Sequence, residues 1–233
     1  MNISEYLQEA ITPQVVFQFN LFGNHVKVID AVVCMWVVTV AILALAFALT
    51  RNLKLVPGRR QAALEFFVEK AEGFCEQWMG HYARTFTPWF GSVFLFLLFS
   101  NILSVFSIVP WFKLSPPTKN INVTGGLAIM SIALVCFGGI IVKGPKHWLK
   151  TFVTPSPIMV PFKLMDYVTR PLSLALRLFG NIFGAFVIME LIYFVVPLFI
   201  PAALGIYFDL FDGAIQAFIF SYLSMIYLSE VLE

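Results

Sequence analysis

Arg177 has the least ordinary surroundings of any residue in the chain. It stands in RPLSLALRLFGNIFGAF (170–186), with no other charge between Arg170 and Glu190. A guanidinium keeps its proton under any ordinary condition, so it cannot relay protons; what it can do is hold an anion. At bilayer depth it is expensive unless partnered. One turn away on its own helix lie Ser173, Leu174, Gly180 and Asn181, none of them acidic. Asp166 is eleven residues back and Glu190 thirteen ahead, roughly 16 to 20 Å along a helix axis. The counter-charge is therefore expected on another polypeptide. The competing reading is an arginine that snorkels to the interface, or pairs with an acid on a neighbouring helix of this chain. Gly180, Gly184 and Ser173 leave one face near Arg177 small enough for close helix approach, although such faces also pack helices within one chain.

The elements that must position this arginine follow from composition. Of 233 residues, 60% are hydrophobic and 12% charged, against roughly 25% charged in soluble domains. The mean hydropathy is +0.87. Fifteen Lys and Arg with 13 Asp and Glu cannot coat a soluble domain of this size. The expected fold is all-α: a polytopic transmembrane helical protein with about five crossings, an amphipathic interfacial helix and a long tilted C-terminal hairpin. The net charge of +2 gives no nucleic-acid footprint. Cys34, Cys75 and Cys136 form no CxxC pair and no even set, which excludes a disulfide framework or zinc knuckle. His25, His81 and His147 fall in loops or the interfacial segment, so no inward-facing pair serves a haem or metal. There is no GxxxxGK[ST] phosphate loop, and nucleotide work belongs to partners. No cofactor is expected.

Spans are read from the gaps between charges. Three gaps, Asp30 to Arg51, Arg84 to Lys113 and Lys119 to Lys143, place membrane helices at 29–51, 88–110 and 121–143. Beyond residue 160, Arg177, Glu190, Asp209 and Asp212 interrupt the apolar runs, and Pro197, Pro201 and Gly205 mark a break. Two helices are expected, 163–196 and 204–231, joined by a short turn. At roughly 42 to 51 Å they exceed the hydrocarbon thickness of about 30 Å and must tilt or lie partly along the membrane. A separate span over 191–208 is opposed by its two prolines. The segment 59–84 is too polar to cross. It places Leu64, Phe67, Val68, Ala71, Cys75, Trp78, Met79 and Tyr82 at helical spacing, with Glu65, Glu69, Glu72 and Glu76 on another face. It reads as an interfacial helix, a helix against a partner subunit, or a packing helix with a solvated acidic face. Residues 1–28 form an outer segment that carries Glu5 and Glu9 and does not read as a signal or transit peptide.

Basic residues set the orientation. Arg51, Lys54, Arg59, Arg60, Lys70, Arg84, Lys143, Lys146, Lys150, Lys163 and Arg170 fall on one side, against Lys27, Lys113 and Lys119 on the other. Eleven against three puts the basic loops and C-terminus in the cytoplasm and the N-terminus outside. No internal repeat is seen, which argues against a transporter of inverted repeats.

SLALRLFGNIFGA (173–185) resembles the signature of subunit a of F-type ATP synthases, with that family's essential arginine on Arg177. Three more stretches resemble the family in order and spacing: PPTKNINVT (116–124), PFKLMDYVTRPLSLALR (161–177), and IQAFIFSYLSMIYLS (215–229), the last with the family's glutamine on Gln216. Together they cover most of residues 85–233, while the N-terminal third fits only in topology.

The resemblance implies a static subunit whose long hairpin curves around a rotating ring of c subunits, each with a carboxylate in mid-membrane. Peripheral-stalk b subunits, the rest of the synthase and the bilayer complete its surroundings. An ion, expected to be a proton, enters by one half-channel from outside, neutralises a ring carboxylate and leaves by a second half-channel. Arg177 would hold the ionised carboxylate and block a direct leak.

By position, Glu190, Asp209 and Asp212 are expected along the entry path, Asn181 and Gln216 in the half-channel as neutral groups that hydrogen-bond Arg177 or polar ring groups, and Asp166, Ser173 and Ser221 along the cytoplasmic exit. Phe186 stands where the family often has His or an acid, and Glu190 one turn on is the expected substitute. Asp209 replaces the family's frequent His or Glu. Asn120 stands where many relatives carry an acid. Each has a plainer reading: Asp212 as a helix-start acid, Asn181 and Gln216 as interhelical glue, Asp166 in an i,i+3 pair with Lys163. The proton-or-sodium choice is expected to lie largely with the ring carboxylate. A bacterial plasma membrane is the expected location, with an organelle-encoded protein as alternative. Two other functions stay open on residue types: a secondary transporter or channel binding an anionic substrate at Arg177, and a membrane anchor that tolerates Arg177→Ala.

Overall fold

The computed structural model describes residues 15–21, 24–51, 53–106, 116–153, 158, 160–195 and 204–232. Pro197 and Pro201, with the turn expected there, and the expected end of the second-gap helix at 107–110 lie outside the described residues. The elements are β1 (Val15–Leu21), β2 (Asn24–Ile29), α1 (Asp30–Thr50), α2 (Arg59–Met79), a 3-10 turn Gly80–Tyr82, α3 (Ala83–Phe106), a 3-10 turn Pro117–Lys119, α4 (Ile121–Lys143), α5 (Pro145–Val153), α6 (Val160–Val195), a π-helical stretch Ile206–Asp212 and α7 (Gly213–Leu232). Among the described residues, five stretches are long and apolar enough to cross a membrane: Asp30–Thr50, Arg59–Leu103, Ile121–Lys143, Val160–Ile192 and Leu210–Leu232. The chain is an all-α polytopic membrane protein with one small sheet.

Several local features depart from the sequence reading. The segment before Asp30 forms an antiparallel hairpin, with Phe17 opposite Val28 and Asn20 opposite His25. Its alternation of apolar and polar residues is the period-2 signal of a strand. The expected helix 59–84 stops at Met79, because Gly80 takes φ 52°, a left-handed conformation that side chains with a Cβ rarely adopt. The next helix therefore starts at Ala83 rather than at 88. Gly144, at φ 78°, likewise separates α4 from the unforeseen helix α5. The last helix widens to π geometry over Ile206–Asp212 before it becomes α-helical.

The chain divides into two compact units. The first comprises the described residues up to Ala44, together with Leu95–Thr124 and Leu178–Ala217. Buried in it are Val28, Ala31, Cys34, Val38, Leu97, Leu178 and Met189, and also the polar Ser100, Asn101, Thr118, Thr124 and Gln216. A buried amide in an apolar helix must be hydrogen-bonded or it destabilises. The Asn101 Nδ2 donates to the Gly213 carbonyl at 2.9 Å, and its Oδ1 accepts from Thr118 Oγ1 at 3.2 Å. A Cβ on Gly213 would come within 2.7 Å of the Asn101 Cβ. Only glycine lets the two backbones approach so closely.

The second unit comprises Leu45–Phe94, Gly125–Arg177 and the described residues from Phe218 on. Its core is Cys75, Met79, Ala83, Phe86, Phe90, Val135, Met225, Leu228 and Leu232. The C-terminal half of α2 joins this core. Phe74 packs tilted against the Phe218 and Tyr222 rings and Trp78 edge-on against Tyr222, with ring centroids 5.4 to 5.8 Å apart. The N-terminal half leaves Phe66, Phe67 and Val68 exposed. Ser131 and Ser224, both buried, share a 2.8 Å hydrogen bond.

Candidate functional site

The helix α6 is 36 residues long and carries Arg177 at its middle. Arg177 is exposed and forms no ion pair or hydrogen bond with any described residue. Leu172, Ser173, Leu176 and Gly180 share its exposure, so the outward stripe follows helical spacing. A Cβ on Gly180 or Gly184 would meet nothing within 4 Å. These small residues are thus not required by packing against the described residues. Ser173 lies on the same open stripe as Arg177.

In the first unit, Asn181 Nδ2 donates to Asp212 Oδ2 at 2.7 Å, across 31 residues of sequence. Asp212 is the last residue of the π-helical stretch, so it is not a lone acid at a helix start. Asp209 belongs to the same stretch, and its side chain is outside those described. Gln216, one turn further, is buried with 4% exposure.

Glu190 is half-buried on α6, four residues after Phe186. The Lys119 Nζ lies 3.4 Å from the centroid of the Phe186 ring. Burial pulls the Lys119 ammonium below the usual lysine range, and Asp30 and Glu190 oppose that fall by favouring its charge. Asn120, beside Lys119, caps α4: its Oδ1 accepts from the Asn122 N–H at 2.9 Å, and its carbonyl accepts from Val123 and Thr124.

In the second unit, Asp166 lines a cavity of about 110 Å³ with Trp148, Lys163, Tyr167, Arg170 and Glu230, enough for several waters. Arg170 reaches Glu230 at 2.7 and 2.9 Å and Asp166 at 3.5 Å. Its guanidinium also lies 5.0 Å from the Tyr227 ring centroid. Ser221 is buried, and its hydroxyl finds no partner among the described residues. Among the expected residues, then, Asn181 and Asp212 are brought together, Asp166 lines a cavity with Arg170 and Glu230, and Arg177 with Ser173 faces outward.

Sequence reasoning missed Asn101, Lys119 and the Arg170–Glu230 pair. The last had a signal: Arg170 and Glu230 are opposite charges within largely apolar helices. Asn101 had only its amide in an apolar run.

Comparison with known proteins agrees with the motifs. The family described as ATP synthase A chain matches residues 32–229. The chain is 34% identical over 209 residues to "ATP synthase subunit a, sodium ion specific" of Propionigenium modestum, covering 84% of this chain and 72% of that protein. It is 33% identical over 201 residues to "ATP synthase subunit a 1" of Crocosphaera subtropica, covering 85% of each. It is 30% identical over 207 residues to "ATP synthase subunit a" of Moorella thermoacetica, covering 88% of this chain and 91% of that protein.

Proposed function

The chain belongs to the ATP synthase A chain family as its ion-translocating membrane subunit a, and from that premise we propose how its residues divide the work. Arg177 faces the carboxylates of a ring of c subunits. The observation that carries this is its lack of any partner among the described residues while it stands exposed at the middle of an apolar helix. A unit charge at about 4 Å and an effective dielectric near 20 is worth about 4 kcal/mol. That is enough to keep a ring carboxylate ionised as it passes. The open Gly180 and Gly184 leave room for that second chain.

Entry from outside runs past Glu190, Asp209, Asp212, Asn181 and Gln216. The Asn181–Asp212 bond supports this, since an amide can orient a carboxylate that takes and gives a proton. Exit to the cytoplasm runs by the cavity at Asp166 and by Ser221, whose buried hydroxyl suits a bound water. Ser173 lines the exit where it opens on the ring. Peripheral-stalk b subunits are the other partners, and the exposed Phe66, Phe67 and Val68 of α2 suit such a contact or the membrane interface. The complex sits in a bacterial plasma membrane with the N-terminus outside and the C-terminus in the cytoplasm, as the eleven-to-three division of basic residues supports.

The test is Arg177→Ala in membrane vesicles carrying the assembled complex, with ion-driven ATP synthesis and passive ion leak both measured. The expected result is loss of coupled synthesis with assembly intact, and added leak. Normal coupled synthesis would overturn the reading.

A further inference from the structure

Lys119 has no part in the path just described, yet it belongs to the same unit as Glu190, Asn181 and Asp212. It ends the 3-10 turn whose Pro117 and Thr118 are buried, and the Thr118 hydroxyl is fixed on Asn101. The backbone that aims Lys119 is therefore anchored in the interior. Its ammonium rests 3.4 Å from the Phe186 centroid, and a cation held against an aromatic face is attracted more strongly as water is excluded. Glu190 follows Phe186 by one turn and shares its face of α6. Asp30, the first residue of α1, is the second carboxylate acting on this lysine. Two carboxylates thus act electrostatically on one half-buried ammonium, in the same unit as the residues of the outer path.

The two candidate ions differ in what they ask of such a place. A proton adds to one carboxylate oxygen and needs no shell of ligands. A sodium ion has to gather several oxygens and stand beside the ammonium as a like charge. We propose that Lys119 is the resident cation of the outer path, filling the place that Glu190 and Asp30 would otherwise offer a metal cation, so that the path takes protons and refuses sodium. This gives the stator a share in ion selection alongside the ring carboxylate. It rests on the reading of Glu190 as part of the entry path.

The test uses the intact complex in inverted vesicles, with ATP-driven proton pumping followed in sodium chloride and in choline chloride. The native complex is expected to pump equally in both. Lys119→Gln is expected to pump in choline and to lose about tenfold in sodium, the factor that corresponds to about 1.4 kcal/mol of cation binding. Lys119→Met, which keeps a long side chain over Phe186, carries the same test should the glutamine variant fail to assemble. Lys119→Arg should behave as native. Asp30→Asn added to Lys119→Gln should remove the sodium sensitivity with the second carboxylate. Pumping by Lys119→Gln or Lys119→Met that is indifferent to sodium overturns the proposal, as does an arginine variant as sensitive as the glutamine one. Glu190→Gln separates the two readings. If it pumps normally, the entry path itself is wrong. If it stops pumping while the lysine variants ignore sodium, only the role of Lys119 falls.

Discussion

Gly180→Ala separates the stability of this subunit from its work against the ring. Among the described residues the added methyl meets nothing within 4 Å, so no contact there is strained. The helix itself gains, since alanine is favoured over glycine in a helix interior by up to about 1 kcal/mol. Subunit a should thus be at least as resistant to thermal dissociation from the purified complex as the native protein. The outward stripe tells the opposite story if a second chain passes close to it. A methylene forced into a packed contact typically costs about 1–3 kcal/mol. Charged against the passage of each ring subunit, that slows turnover by roughly 5- to 150-fold at 1.36 kcal/mol per decade. The assay is ATP synthesis driven by an imposed ion gradient in vesicles, normalised to assembled complex. Synthesis within about twofold of native, well below the smallest slowing expected from a packed contact, would refute the claim that this face adjoins another chain.

Gly213→Ala is expected to do the reverse, because its Cβ would lie 2.7 Å from the Asn101 Cβ and overpacking costs about 1–3 kcal/mol. A lowered midpoint of thermal dissociation checks this, and an unchanged midpoint contradicts the close approach. Asn120→Ala should lose about 1 kcal/mol with its helix cap, whereas Asn120→Asp should hold the native midpoint because aspartate caps as well. Equal losses in both would show that the amide does something other than cap α4.

The class of the fold was legible because charges are so sparse that the gaps between them mark the spans. The hairpin before Asp30 was hidden by the search for apolar runs of membrane length, although Phe17, Gln18, Phe19 and Asn20 alternate as a strand does. Arg177 was legible by its type. Its exposure was not, because whether a neighbouring helix brings an acid depends on contacts that no local spacing encodes. The Asn181–Asp212 bond is such a contact, as is the Arg170–Glu230 pair across 60 residues. Asn120 shows the opposite case, since its cap geometry is local and its residue type announces it.

The hydrogen bond from Asn101 to Gly213 also sets a clock for biosynthesis. The two residues are 112 apart, which at roughly 5–20 residues per second is about 6 to 22 s of translation. Thr118 follows Asn101 by 17 residues, about 1 to 3 s. The carbonyl end of the amide can therefore be satisfied early, while the amino end waits for the last helix. During that interval α3 must be held in the bilayer by Val93–Phe99, whose apolar side chains tolerate one unfinished polar group. Emergence of α7 from the ribosome is the event that closes the interior of the first unit.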